Sequence, residues 1–289
     1  MNYRHAFHAG NFADCMKHAL LVWLIEALAR KPAPFFVLDT HAGAGHYDLD
    51  DGPATRTLEA QGGILRLLST PAARTADDLG IGSESTMEAV GLATYLSLVR
   101  RLGLYPGSPS LIEALLRPDD RMACCELHPA DVVILRQLFS RNPAVSVHHR
   151  DAWEALRGLL PPAQKRGLVL IDPPFEDPDE FTRLTQALKL GYSRFRTGIF
   201  AAWYPIKRLA QVRQFLTDMR ETGMRDIVTA EFLVREPLDP SRLNGCGLLV
   251  INPPYQFETA ATAILTTLLD ALGTGEYGAG IAVGRLADE

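Results

Sequence analysis

The feature that most constrains this chain is a repeated one: short apolar runs that close on an acid. Phe35-Phe36-Val37-Leu38 ends at Asp39, Met122-Ala123-Cys124-Cys125 ends at Glu126, and Gly167-Leu168-Val169-Leu170-Ile171 is followed at once by Asp172. Runs that are apolar at successive rather than alternate positions read as strands buried on both faces, the pattern of a parallel sheet covered by helices. Between them the periodicity is helical. One helix is capped by Asn11, with Asp14 in capping-box position, and stops near Arg30, before Pro32 and Pro34; others fall at 129–140, 179–190 and 206–223. With further strands at 145–148, 197–204, 226–234 and 247–252, the expected fold is a Rossmann-like, doubly wound α/β sheet of about seven strands. The tail beyond Leu272 is glycine-rich and gives no firm assignment.

The interval 48–105 breaks the alternation. It is polar and punctuated by glycine, with helical runs at 58–68 and 87–102, the second opened by Ser85-Thr86-Met87-Glu88. It closes on Tyr105-Pro106-Gly107-Ser108-Pro109, which reads as a tight turn. We read a small helical insertion within a single domain over 1–289, preceded by an N-terminal motif over 1–30.

With 47% hydrophobic residues in 289, the chain can bury a sizeable core. Its longest early apolar run, Ala19 to Ile25, is too short to span a bilayer, and Arg4, His5, Asn11 and Asp14 exclude a signal-peptide pattern. The four cysteines form no C-x-x-C pair; Cys124 and Cys125 should point to opposite faces of a strand. A cytoplasmic, soluble monomer with no membrane association is expected. A net charge of −5 disfavours binding nucleic acid through bulk charge, but two basic clusters stand out: Arg4, His5, His8, Lys17 and His18, and then Arg194, Arg196, Lys207 and Arg208. His5, His8 and His18 lack compact metal-ligand spacing, so no metal site is expected.

Open α/β sheets bind ligands beyond the carboxyl ends of their strands, where the strand order reverses. Asp39 leads there into Thr40-His41-Ala42-Gly43-Ala44-Gly45, a turn whose glycines admit a ligand close to the backbone. It is not the dinucleotide fingerprint, because Asp48 stands where the third glycine would be. An adenosyl-methionine site, which holds no pyrophosphate, needs no third glycine. Glu126 is then placed to hold ribose hydroxyls, and Asp151 to meet the adenine amino group of that cofactor. His148 and His149 read as structural.

Asp172-Pro173-Pro174-Phe175 presents an acceptor carboxylate, carbonyls without competing donors and an aromatic face on a stiff loop. This set suits a planar base with an exocyclic amine. The lone pair of an adenine 6-amino group is delocalised into the ring. Hydrogen bonds to Asp172 and to the Pro173 carbonyl favour a pyramidal nitrogen, Asp172 can accept the proton released on methyl transfer, and Phe175 can stack on the base. Asn252-Pro253-Pro254-Tyr255 carries a similar pattern but follows the last predicted core strand, far from the glycine turn in chain order, so Asp172 is favoured.

Asp39-Thr40-His41-Ala42-Gly43-Ala44-Gly45, the N-terminal Tyr3-Arg4-His5-Ala6-Phe7-His8-Ala9-Gly10-Asn11-Phe12-Ala13-Asp14 with Lys17-His18, and Asp172-Pro173-Pro174-Phe175-Glu176 together resemble one family, the bacterial 23S ribosomal RNA adenine-6-amino methyltransferases of the RlmJ type. Tyr105 to Pro109, Glu126-Leu127-His128-Pro129 and Trp203-Tyr204-Pro205 extend the resemblance over nearly the whole chain. It implies a class I methyltransferase fold with a helical insertion, S-adenosyl-L-methionine as donor, and one adenine of 23S ribosomal RNA, nucleotide 2030 in the family, as target. The RNA would be met naked or in an early assembly intermediate. The resemblance further implies cofactor contacts from His18, His41, Ser108, Glu126, Asp151 and Ala152, catalysis by Asp172, and substrate contacts from Tyr3, Pro173 and Phe175. The family often has Tyr where this chain has Phe175, a change that preserves stacking but removes a phenolic hydrogen bond. A DNA adenine methyltransferase, a protein glutamine-amide methyltransferase using the Asn252 loop, and a non-catalytic RNA-binding assembly factor are the competing readings, and the family's link to use of external DNA is a further possible role.

Overall fold

The computed structural model describes residues 5–50, 54–70 and 90–288. After a 3-10 turn (His5–Phe7), the chain forms α1 (Phe12–Ala29), β1 (Phe36–Asp39), β2 (His46–Tyr47), the short helices α2 (Ala54–Thr57), α3 (Glu59–Gly62) and α4 (Ile64–Leu68), then α5 (Val90–Leu102), β3 (Tyr105–Pro106), α6 (Ser108–Glu113) and β4 (Arg121–Glu126). It continues through α7 (Pro129–Leu138), β5 (Val145–His149), α8 (Ala152–Leu159), β6 (Gly167–Ile171), α9 (Glu180–Arg194) and β7 (Ile199–Ile206). Last come α10 (Leu209–Glu221), β8 (Ile227–Leu233), β9 (Gly245–Ile251), α11 (Phe257–Leu272) and β10 (Gly280–Ala287).

The main sheet has eight strands in the order β10-β8-β9-β7-β6-β1-β4-β5, where about seven were expected. The additional strand is β10, in the glycine-rich tail; its antiparallel partner β8 supplies the stability that its own composition withholds. From β7 to β5 every pairing is parallel, whereas β9 runs antiparallel to both β7 and β8. The chain leaves β1 towards β4 and β5, then returns to the other flank of β1 with β6. That reversal places the carboxyl ends of β1 and β6 side by side, at the position where such sheets bind ligands.

Helices cover both faces. Cys124, Leu168 and Leu170 pack into one apolar layer with α1, α6 and α11, while Cys125, Val169 and Ile171 pack into the other with α8, α9 and α10. The adjacent cysteines therefore point to opposite faces, and all four cysteines are buried and free. Helix α1 is buried nearly all round, including Asp14, Lys17 and His18. Asn11 caps it by accepting from the Asp14 amide at 2.9 Å, but the reciprocal half of the capping box is missing. The Asp14 carboxylate instead takes the Gly10 amide at 2.9 Å. Beyond α1, Arg117 donates to the carbonyls of Ala29, Lys31 and Ala33 and pairs with buried Asp120, which itself accepts from the Phe35 amide. This knot fixes how the Pro32–Pro34 connection delivers β1.

Three local expectations are corrected. The 58–68 run is two short helices, because Leu58 adopts φ 57° and Gly63 interrupts the run. The Tyr105–Pro109 stretch is not a simple turn. Tyr105 and Pro106 pair with β2, and Pro109 sits in the first turn of α6, where its missing N–H is harmless. The 206–223 helix starts later, at Leu209, because β7 runs on through Pro205 to Ile206. The Ser85–Glu88 capping box lies outside the described residues.

Candidate active site

A cavity of about 600 Å³ opens at the carboxyl ends of β1, β4 and β6. Its floor is the turn after β1. Gly43 and Gly45 hold φ of 63° and 86°, a region that side chains rarely enter, and a Cβ on Gly43 would collide with the Tyr47 hydroxyl. The turn is tied to the next strand by Glu126, whose carboxylate takes the Gly43 amide at 2.7 Å and the His128 amide at 2.6 Å. Asp151 caps α8, accepting from the Trp153 amide at 2.8 Å and the Glu154 amide at 3.2 Å. His41 bonds Thr40 through Nδ1 at 2.8 Å, and its ring meets Trp153 edge-on. Buried His18 lies against the Tyr105 hydroxyl at 3.0 Å. Burial pushes the His18 imidazole down to about 3 and the His41 imidazole down to about 4, so both rings are neutral near pH 7.

Of the residues singled out from sequence, His18, His41, Ser108, Glu126, Asp151, Ala152, Asp172, Pro173 and Phe175 all line this one cavity. Tyr3 lies outside the described residues. Among the described residues, no group of His, Cys, Asp and Glu is arranged to hold a metal ion, and no helix is long and apolar enough to cross a membrane.

Sequence alone does not reveal the network that holds Asp172. Lys17 Nζ lies 2.6 Å from Asp172 Oδ2 and 3.0 Å from Asp14 Oδ1, and Asp14 Oδ2 is 3.0 Å from His5 Nε2. Burial alone would push the Lys17 ammonium down, but Asp14 and Asp172 outweigh it and hold it well above the usual lysine range. Burial would raise Asp14, yet His5 and Lys17 hold it well below the ordinary carboxyl range. The remaining oxygen of Asp172, Oδ1, is bonded to no protein group among the described residues. Phe175 holds φ 51°, unusual for a bulky residue, and its ring packs against Phe181 at 4.8 Å and edge-on to Trp203 at 5.9 Å. The available signal is the spacing of Asp14, Lys17 and His18 on one face of a helix with no solvent side.

In the sequence, Asp39 is only the end of β1. In the structure it is fully buried, and neither carboxylate oxygen has a hydrogen-bond partner among the described residues. Burial pushes its carboxyl up to about 7, with Asp172 adding to the rise while Ser108 and Lys17 oppose it. A buried acid raised above its unfolded value of 3.8 destabilises the fold progressively as pH rises through that window, and fully above it. Without cofactor, Asp39→Asn should therefore unfold at a higher temperature than the parent at pH 8, with the difference little changed down to about 7 and then shrinking by roughly 1.4 kcal/mol per pH unit on acidification towards 4. Thermal unfolding at pH 4, 6 and 8 checks this, and a pH-independent difference would refute it.

Two sequence clusters come apart in space. Arg4 lies outside the described residues; of the rest of the N-terminal cluster, Lys17 and His18 are interior, and His8 bonds Glu59 at 2.9 Å. The later cluster is split by β7: Arg194 and Arg196 precede it and Lys207 and Arg208 follow it, at opposite ends of the sheet. The Asn252-Pro253-Pro254-Tyr255 loop is similarly displaced. Because β9 is antiparallel to β7, Asn252 emerges at the far end, where its Nδ2 donates to the Arg196 and Gly198 carbonyls at 2.8 Å.

The sequence profile described as "Ribosomal RNA large subunit methyltransferase D, RlmJ" matches residues 32–282. The chain is 38% identical over 278 residues to an Escherichia coli (strain K12) protein named ribosomal RNA large subunit methyltransferase J, covering 95% of this chain and 96% of that one. A Haemophilus influenzae protein of the same name is 37% identical over 287 residues, covering 96% and 97%. A crystal structure of a Legionella pneumophila protein superposes with a TM-score of 0.82 at 35% identity, covering 96% of this chain and 98% of that one.

Proposed function

Because the chain belongs to the RlmJ family of large-subunit ribosomal RNA methyltransferases, we propose that it methylates the exocyclic 6-amino group of a single adenine in 23S ribosomal RNA. The fold is that of the class I methyltransferases, and S-adenosyl-L-methionine is the donor, supplying an electrophilic methyl group on a sulfonium when bound. The cavity suits such a cation. Its lining carries the acids Glu126, Asp151 and Asp172, and its two buried imidazoles are neutral, so they offer hydrogen bonds without adding positive charge. On this reading Glu126 holds the ribose, Asp151 the adenine amino group, and His18, His41, Ser108 and Ala152 the remainder of the donor. Its scope is one domain over the whole chain, with the helices between β1 and β4 as an insertion.

The observation that carries the adenine reading is the Asp172 loop. Lys17 fixes one oxygen of Asp172 and leaves Oδ1 as an acceptor for an amine. The adjoining Pro173 carbonyl supplies a second acceptor, and the Phe175 ring, set by its positive φ, supplies the stacking wall. A base must leave its stack to reach this corner, at an expense of about a few kcal/mol that is least where the nucleotide is already unpaired. Once there, both amine hydrogens are held, the nitrogen lone pair is directed at the methyl group, and Asp172 takes the released proton. A protein-amide reading would place the chemistry at Asn252, whose side-chain amide already caps two carbonyls at the far end of the sheet.

The test is methyl incorporation from labelled S-adenosyl-L-methionine by the purified chain, offered a 23S transcript, duplex DNA of the same sequence and ribosomal protein in parallel. Label in the transcript is expected. Label in DNA or protein alone, or in none of the three, would overturn the assignment.

A further inference from the structure

At the catalytic end of the sheet several cations are committed among the described residues, although Arg150 in the cavity lining is not. Lys17 is locked between two carboxylates, Arg183 pairs with Asp177 at 2.8 Å, and Arg235 pairs with Glu276 at 3.0 Å. Lys207 and Arg208, directly after β7, differ. Both are exposed, Lys207 lines the cavity, and among the described residues neither side chain has an ion-pair or hydrogen-bond partner. Beside them runs the segment 235–244. Its Asn244 donates to the Lys207 carbonyl at 3.2 Å, and its Ser241 and Leu243 also line the cavity. The far end of this segment is stitched to the turn before β10, Glu236 donating its amide to the Tyr277 carbonyl at 2.8 Å. The Tyr277 side chain is 86% exposed.

Uncommitted cations at the mouth of a base-sized pocket, followed by a bare aromatic ring, match the way a single nucleic-acid strand is held: charge on phosphate, ring on base. A chain with a net charge of −5 repels a polyanion overall, so the few free cations at the mouth decide whether the strand stays. We propose that Lys207, Arg208 and Tyr277 form a track for the unpaired RNA flanking the target nucleotide. The two cations neutralise backbone phosphates and Tyr277 stacks on a base outside the cavity. The track rests on RNA being the substrate.

Binding of a 23S transcript, measured across a salt series, tests it. Each single-strand phosphate left without its cation lowers the slope of log affinity against log salt by about 0.7, so Lys207→Gln/Arg208→Gln should lower it by about 1.4 and weaken binding at low salt. Tyr277→Ala should weaken binding about 5- to 150-fold with the slope unchanged, while Tyr277→Phe keeps the parent affinity. Arg220→Gln/Arg225→Gln removes equal charge from exposed positions at the opposite end and should change neither quantity. If the parent methylates the transcript but the Lys207/Arg208 double variant keeps its slope and affinity, or the control pair loses as much, the track is overturned and the RNA reading stands. If the parent neither binds nor methylates the transcript, both fall.

Discussion

Asp172→Ala is expected to lower kcat for RNA methylation by about 10²–10⁴-fold while the chain still binds S-adenosyl-L-methionine in calorimetry. The acid pairs one oxygen with Lys17 and, among the described residues, leaves the other unclaimed, on a loop that carries two prolines and a positive φ at Phe175. Its loss removes the acceptor proposed to orient the amine and take its proton, but none of the groups read as holding the donor. Lys17 keeps its bond to Asp14 in this variant, so the fold should survive. Asp172→Asn, which retains an acceptor oxygen, should lose less than alanine does. Near-parental turnover by the alanine variant would remove Asp172 from the chemistry.

The second large effect belongs to Lys17. Lys17→Met leaves the carboxylates of Asp14 and Asp172 facing a site from which the compensating charge is gone. Deleting one partner from a buried ionic group typically costs about 3–5 kcal/mol. The sign with pH can be worked out. Asp14 is depressed below 3.8, so its contribution is present above that value and lost as pH falls through its folded pKa. Lys17 is raised above 10.5, so its contribution is present below that value and lost as pH rises through its folded pKa. The parent's advantage over Lys17→Met should therefore be widest between about pH 5 and 9, and should narrow in acid as Asp14 protonates in the variant. Activity should fall as well, because the ammonium holds Asp172 Oδ2 at 2.6 Å. Thermal unfolding across pH reads the first effect and kcat the second. A gap that stays constant with pH would show that neither group carries the linkage.

What the sequence disclosed depended on how local each determinant was. The strands ending at Asp39, Glu126 and Ile171 were legible because both faces are buried and every position is apolar. Strand β10 was not, because its residues gain strand stability only from β8, and helix α6 was hidden by a Pro-Gly-Ser-Pro string that also spells a turn. Chain order favours Asp172 over Asn252, but the physical basis of the difference is the antiparallel setting of β9, which no local pattern encodes. Asp14 and Lys17 were visible as neighbours on one helix face. Their partner Asp172 lies 155 residues further along the chain, so the network existed only once the sheet had formed. For the same reason the cluster from Arg194 to Arg208 looked continuous in sequence until β7 separated its halves.

Whether one corner of this cavity presents an adenine amine to a methyl group can be read by nucleoside mass spectrometry. A 23S transcript treated with the chain and S-adenosyl-L-methionine is digested to nucleosides. A single N6-methyladenosine per transcript is expected, and none when Asp172→Ala replaces the parent. Methyl groups found on ribose, on a ring nitrogen or on another base, or an N6 mark that persists in the alanine variant, would contradict it.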